Sequence, residues 1–262
     1  SLRNIHAHYD LGTQFFETFL DETLTYSAGI FEHAESDMAS ASLYKLDRLL
    51  SKVGVTAHEH LLEIGTGWGS LAIRAAETID CKVTSTTISS DQFSEATKRV
   101  RGRNLQDRIT LLQQDYRALS GSYDQLVSIE MIEAVGHAYL TDYFSMCGSL
   151  VKPKGRIVLQ TISMPDDRYQ RYLRTNDFIR EVVFPGSCCP ALSAMVEAAH
   201  GAGLEMIDLE EMNYHYAQTL RVWSGAFDAA HDHIVGIGYD EQFIRMWRYY
   251  LAYCEAGFAE NH

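Results

Sequence analysis

Three stretches of this sequence carry residue types at spacings that could do chemistry. In the first, Glu63-Ile64-Gly65-Thr66-Gly67-Trp68-Gly69, an acid stands directly before a G-x-G-x-G turn. Glycines there permit a sharp turn and close approach of backbone to a ligand. The spacing is not the G-x-G-x-x-G of dinucleotide enzymes. The second stretch, Thr86-Thr87-Ile88-Ser89-Ser90-Asp91-Gln92, has no acid at its start, so hydroxyls, an amide or Asp91 would have to hold a ligand's polar groups. The third, Glu130-Met131-Ile132-Glu133-Ala134-Val135-Gly136-His137, offers Glu133 as a carboxylate that could position an anion or take a proton. Its plainer reading is a helix-start carboxylate satisfied by backbone amides. His137 reads as a surface or capping histidine before it reads as a base. His231-Asp232-His233 resembles a metal grouping only superficially, because helix positions two apart do not face each other, and no metal site is expected.

These stretches sit between short apolar runs that alternate with helical segments. Residues 60–65, 81–86, 109–113, 123–129 and 155–162 read as strands one to five, and residues 70–78, 91–101 and 139–150 as helices. Such alternation implies parallel strands with right-handed crossovers, hence an α/β fold with a doubly wound, mostly parallel sheet. Before it, Phe15, Phe16, Phe19 and Leu20 fit one helix face, residues 24–31 read as a loop, and Leu43, Leu46, Leu49, Leu50 and Val53 stripe a helix over 38–53. After it, residues 164–190 break the rhythm and read as a helical insertion over the sheet's carboxyl edge. A sixth strand is expected over residues 204–212, then two helices near 217–236 and 240–258. The expected organisation is one domain: an N-terminal helical segment (1–55), a ligand-binding core (56–163), a cap insertion (164–203) and a C-terminal strand with helices (204–262).

The net charge of −13 excludes a uniformly basic nucleic-acid face and argues against loose electrostatic attraction to an anionic bilayer. The arginine-rich stretches at 98–103 and 168–180 could form a local basic patch for peripheral membrane contact, although solvated helix faces are the simpler reading. Five cysteines without a C-x-x-C motif suit buried thiols in a reducing compartment, and neighbouring Cys188 and Cys189 would bridge only under strain. The opening Ser1-Leu2-Arg3-Asn4 has no signal-peptide character and no apolar run is long enough to span a bilayer, so the expected location is cytoplasmic.

An acid closing strand one directly before this glycine series resembles the first motif of S-adenosylmethionine-dependent methyltransferases. More specifically, His8-Tyr9-Asp10-Leu11, Thr25-Tyr26-Ser27, Glu63 to Gly69, Thr87-Ile88-Ser89-x-x-Gln92, Glu130 to His137 and Phe184-Pro185-Gly186 occur in that order. Over nearly its whole length the chain resembles the cyclopropane-fatty-acid synthase and mycolic-acid methyltransferase family. The resemblance implies a Rossmann-like, class I methyltransferase fold. It implies methyl transfer from S-adenosylmethionine to a cis double bond of an unsaturated lipid or fatty-acyl substrate. It implies cofactor contacts at Tyr26, Ser27, Glu63, Gly65, Thr66, Gly67, Gly69, Thr87, Ser89, Gln92, Asp115 and Tyr116. It also implies a bicarbonate ion as the base, held by Glu133, Tyr216 and the backbone amide of Ile162, together with a cysteine and a histidine. Here the cysteine position is Ala28 and the histidine position is Gln160. Alanine keeps its N–H, whereas glutamine keeps a donor but cannot carry positive charge. The family's final strand has no counterpart in this sequence, which leads one to expect a truncated chain.

A sulfonium methyl is a strong electrophile and an alkene a weak nucleophile, so such an enzyme must align them and exclude water. The carbocation left by methyl transfer could be stabilised by the faces of Tyr26, Tyr116, Phe184, Tyr214, Tyr216 or Trp223, unless these are ordinary core. Glu133 could then position bicarbonate or remove the proton itself. Apolar sequence over 164–225 would hold the acyl chain, or is plain core. Two further readings stay open: a small-molecule N-methyltransferase on this scaffold, and a cofactor-binding protein without catalysis.

Overall fold

The structure is a computed structural model that describes residues 11–33 and 35–260. The His8-Tyr9-Asp10 part of the N-terminal motif lies outside the described residues. In chain order the elements are α1 (Thr13–Phe16), α2 (Met38–Val53), β1 (His60–Ile64), α3 (Ser70–Thr78), β2 (Lys82–Thr87), α4 (Ser90–Gly102), β3 (Ile109–Gln113), β4 (Gln125–Ile129), α5 (Leu140–Leu150) and β5 (Ile157–Gln160). Helices α6 (Asp166–Tyr172), α7 (Leu192–Gly201), α8 (Asn213–Ala229), α9 (His231–Gly236) and α10 (Glu241–Ala259) follow. The described residues group into two compact units, one of residues 47–209, the other of residues 11–33 and 35–46 with 210–260. The N-terminal helical segment therefore groups largely with the C-terminal helices.

The first unit is built on a five-stranded parallel sheet of order β3-β2-β1-β4-β5. Leu62 of β1 stands opposite Thr84 of β2 and Leu126 of β4, and Leu126 opposite Ile157 of β5. Helices shield a parallel sheet, so β1 and β4 are apolar runs. β2 buries Thr84, Ser85 and Thr86 instead, and each hydroxyl is bonded: to His60 Nε2 (2.8 Å), to Glu63 Oε2 (2.5 Å) and to Gln114 O (2.6 Å). Leu62, Leu126, Tyr143, Cys147, Leu150, Met195 and Ala198 form a core with α5 and α7. Burial of each large apolar side chain there is worth about 1.5–3 kcal/mol. The strand order reverses between β1 and β4, which opens a crevice at their carboxyl ends.

The expected sixth strand does not form: residues 204–212 have no strand conformation. Met206, Ile207 and Leu209 are 49%, 73% and 62% exposed, so their alternation with acids finds neither a partner strand nor a core face. β5 is also shorter than expected, ending at Gln160. The insertion holds α6 and a π-helical turn, Ile179–Val183. At its far end the chain forms three helices rather than two, with a break at Ala230 between α8 and α9.

The second unit is helical, with α8 and α10 packed along each other. Its core is aromatic. Phe15 meets Phe16, Phe19 and Trp247 edge-on at centroid distances of 5.4, 5.5 and 4.9 Å, and Trp223 and Phe227 lie buried with them.

Candidate active site

Every site residue expected in the first unit lies at or just beyond a strand's carboxyl end, except Glu63 within β1. The turn after β1 runs with Gly65 at φ +100°, Gly67 at +51° and Gly69 at +90°, a left-handed series that side chains resist. The N–H groups of Gly65 and Thr66 both donate to Thr86 O at 3.0 Å, which anchors the turn to β2. A Cβ on Gly65 would come within 3.3 Å of Met131, and one on Gly69 within 3.3 Å of Ala96. At Gly67 it would meet nothing within 4 Å, so open space faces that backbone. Glu63 is buried beneath the turn and Thr66 Oγ1 bonds Ser85 Oγ at 2.7 Å.

After β2, Ser89 caps α4 by accepting from the Gln92 N–H at 3.3 Å. Thr87 donates to Gln92 Oε1 at 3.0 Å and accepts from the Ser89 N–H at 3.1 Å. Thr87, Ser89 and Gln92 are thus brought together, with the hydroxyl of Thr87 already engaged. After β3, the Asp115 carboxylate takes the backbone N–H and the guanidinium of Arg117, which lower its pKa below the usual value. Tyr116 stands edge-on to Tyr143 with centroids 5.4 Å apart.

Beyond β4 lies Glu133. Its Oε1 accepts from the Ile162 N–H at 2.6 Å and from the Thr161 hydroxyl at 3.0 Å, both just past β5. Its Oε2 is buried with no hydrogen-bond partner among the described residues. Burial, reinforced by the neighbouring charge of Glu130, pushes the carboxyl up to about 7 against these two hydrogen bonds. The carboxyl is therefore only half satisfied by donors, a pattern of functional sites. Its backbone oxygen accepts from the Cys188 N–H at 2.7 Å, so the insertion is bonded to this segment. Gln160 donates through Nε2 to Glu130 Oε1 at 2.9 Å. The Ile162 amide, which the resemblance assigns to an anion, here donates to Glu133. His137 bonds the Tyr169 hydroxyl at 2.8 Å.

Tyr26, Ser27, Ala28 and Tyr216 belong to the second unit. Tyr26 and Tyr250 share a hydroxyl hydrogen bond of 2.9 Å. Ser27 accepts from Lys45 Nζ at 2.6 Å, Ala28 is fully buried, and Tyr216 stacks on Phe258 at 4.0 Å. Sequence reasoning missed Glu130, Thr161 and the fully buried Lys45. For Lys45 a signal existed: it recurs with Ser42, Leu46 and Leu49 at the helical period of α2. All five cysteines are free thiols. Among the described residues no helix is long and apolar enough to cross a membrane, and no three potential metal ligands cluster.

Residues 1–262 match the family profile described as mycolic acid cyclopropane synthetase. The chain is 41% identical over 268 residues to tuberculostearic acid methyltransferase UfaA1 of Mycobacterium tuberculosis, covering 99% of this chain and 62% of that protein. It is 33% identical over 251 residues to cyclopropane-fatty-acyl-phospholipid synthase of Escherichia coli, covering 96% and 63%. The chain therefore spans under two thirds of either relative's length. The crystal structure of mycolic acid cyclopropane synthase CmaA1 complexed with SAH and CTAB matches with a TM-score of 0.91 at 30% identity, covering 98% of this chain and 93% of that one. A family match that spans residues 1–262, and with them every segment of the site, means that the chain belongs to the mycolic acid cyclopropane synthetase family.

Proposed function

We propose that the chain transfers a methyl group from S-adenosylmethionine to a cis double bond of an unsaturated lipid acyl chain, giving a cyclopropane or a methyl- or methylene-branched product. The observation that carries this reading is Glu133, a buried acid pushed up to about 7 with one oxygen fixed and the other without a hydrogen-bond partner among the described residues. The relatives named as a tuberculostearic acid methyltransferase and a cyclopropane-fatty-acyl-phospholipid synthase support it, as does the CmaA1 structure with SAH and CTAB.

The open space at Gly67 fits a cofactor lying against the backbone. Glu63, Gly65, Thr66, Gly67 and Gly69 would hold it, with Thr87, Ser89, Gln92, Asp115 and Tyr116. When bound, it supplies the electrophilic sulfonium methyl. Gln92 is pinned by Thr87 and Ser89, so its amide is held in place for a polar contact. Glu133 would hold a bicarbonate ion through a proton on Oε2, where the substrate's proton leaves. Thr161 and the Ile162 amide orient that carboxyl. The roles that the resemblance implies for Tyr26, Ser27, Ala28, Gln160 and Tyr216 are part of the same proposal.

The test uses vesicles of a cis-monounsaturated phospholipid, methyl-labelled cofactor and mass spectrometry of the extracted lipid. The label is expected in the acyl chain. Glu133→Gln should lower turnover at least about a hundredfold and leave cofactor affinity within about tenfold. Unlabelled lipid, or full activity in the variant, refutes the reading.

A further inference from the structure

Glu130 occupies an unusual backbone position. Its φ of +47° lies in the left-handed region that side chains rarely adopt. Its N–H donates to Gln160 O at 2.8 Å, and its carboxylate accepts from Gln160 Nε2 at 2.9 Å. One residue thus grips Gln160 by main chain and by side chain. The same residue sets a negative charge beside Glu133. Among the described residues of the first unit, Tyr143 on α5 interacts electrostatically with Glu133, and Cys188 in the insertion donates its N–H to the Glu133 backbone oxygen. Burial raises both, so they carry no charge near neutral pH. Thr161 and Ile162, after β5, bring donors without charge. Because Oε1 already accepts two hydrogen bonds, the proton of an un-ionised Glu133 sits on Oε2, the oxygen without a partner among the described residues.

We propose that Glu130 is a positioning residue: it locks Gln160 in place and adds to burial in holding Glu133 a neutral acid, with its O–H on Oε2 ready to donate to the anion that takes the substrate's proton. This rests on the proposed methyl transfer only for its effect on turnover. The state of Glu133 can be read without any reaction.

Infrared difference spectroscopy of the full chain follows the carbonyl stretch of an un-ionised carboxyl across pH. The band is expected up to neutral pH and absent in Glu133→Gln. In Glu130→Gln it should titrate about one pH unit lower, the smaller end of a like-charge effect. Glu130→Gly removes the same charge at a φ that glycine accepts, and serves if the first variant does not fold. On vesicles of a cis-monounsaturated phospholipid, the alkaline limb of kcat should move with the band. That makes kcat about tenfold lower above the limb in both variants, with KM for lipid unchanged. A band that survives Glu133→Gln, or that titrates at an unchanged pH in the folded Glu130 variants, overturns the proposal. If the band moves as expected while no protein methylates lipid, the role of Glu130 stands and the methyl-transfer reading falls.

Discussion

Replacing Glu133 by Gln should change how the fold's stability depends on pH. Folding raises this carboxyl from its ordinary 4.5 to about 7, because burial strips water from the charged form and Glu130 repels it. Below pH 4.5 the folded and unfolded chains both carry the proton. Between 4.5 and about 7 only the folded chain does, so each pH unit gained there favours unfolding by about 1.36 kcal/mol. Stability from this group is thus greatest in acid, and roughly 3 kcal/mol of it is gone above pH 7. Glutamine does not titrate, and its amide oxygen can accept the same bonds from Ile162 and Thr161. Urea unfolding of both proteins at about pH 5 and about pH 8 separates this group from all others. From the lower pH to the higher, the natural protein should lose roughly 2–3 kcal/mol more than the variant. If the two losses agree within about 0.5 kcal/mol, the folded chain does not hold Glu133 as a neutral acid and the argument fails.

Two further perturbations probe the turn and the insertion. Gly67→Val puts a side chain where φ is +51° and open space faces the backbone; it should abolish calorimetric binding of S-adenosylhomocysteine at about 1–2 kcal/mol of stability. Unchanged affinity would remove the cofactor from this turn. Arg180 donates to Tyr172 O and Thr175 O at 2.7 Å and to Ser187 O at 3.2 Å, with its guanidinium 4.7 Å over the Tyr172 ring. A lysine cannot span three carbonyls, so Arg180→Lys should cost about 2 kcal/mol and speed amide hydrogen exchange across residues 172–189; unaltered exchange there would show that Arg180 does not hold the loop.

Much of the first unit was legible in the sequence because its signals are local. A buried apolar run, a glycine turn and an amphipathic helix from Ser70 to Thr78 lie side by side in the chain, and α3 has those bounds. β2 was readable although polar, because β-branched Thr and Val suit an extended strand. Residues 204–212 misled because alternation records which side chains match, not whether a partner strand exists. The site was legible as positions and not as bonds. Glu133 lies 29 residues from Ile162, and only the sheet order places β4 beside β5. Glu130 stood in the motif that singled out Glu133, yet its left-handed backbone and its grip on Gln160 have no local signature in a glutamate. Lys45 was passed over because a charged side chain on a helix is usually solvated, whereas this one is buried against Ser27.

The sheet order also governs when the site can exist while the chain is being made. The glycine turn, the Thr87–Gln92 cap and Glu133 are synthesised first, but β5 is an edge strand that arrives after β4 and α5. A nascent chain that has emerged from the ribosome only as far as α5 has the cradle for a ligand, yet neither the Thr161 hydroxyl nor the Ile162 amide for its acid. Parallel strands close late because each needs a full crossover before it can pair. The donors to the Glu133 carboxyl are therefore placed only with the docking of a four-residue strand, Ile157–Gln160. Until then the carboxyl group of Glu133 stays in water, ionised at neutral pH like any ordinary glutamate.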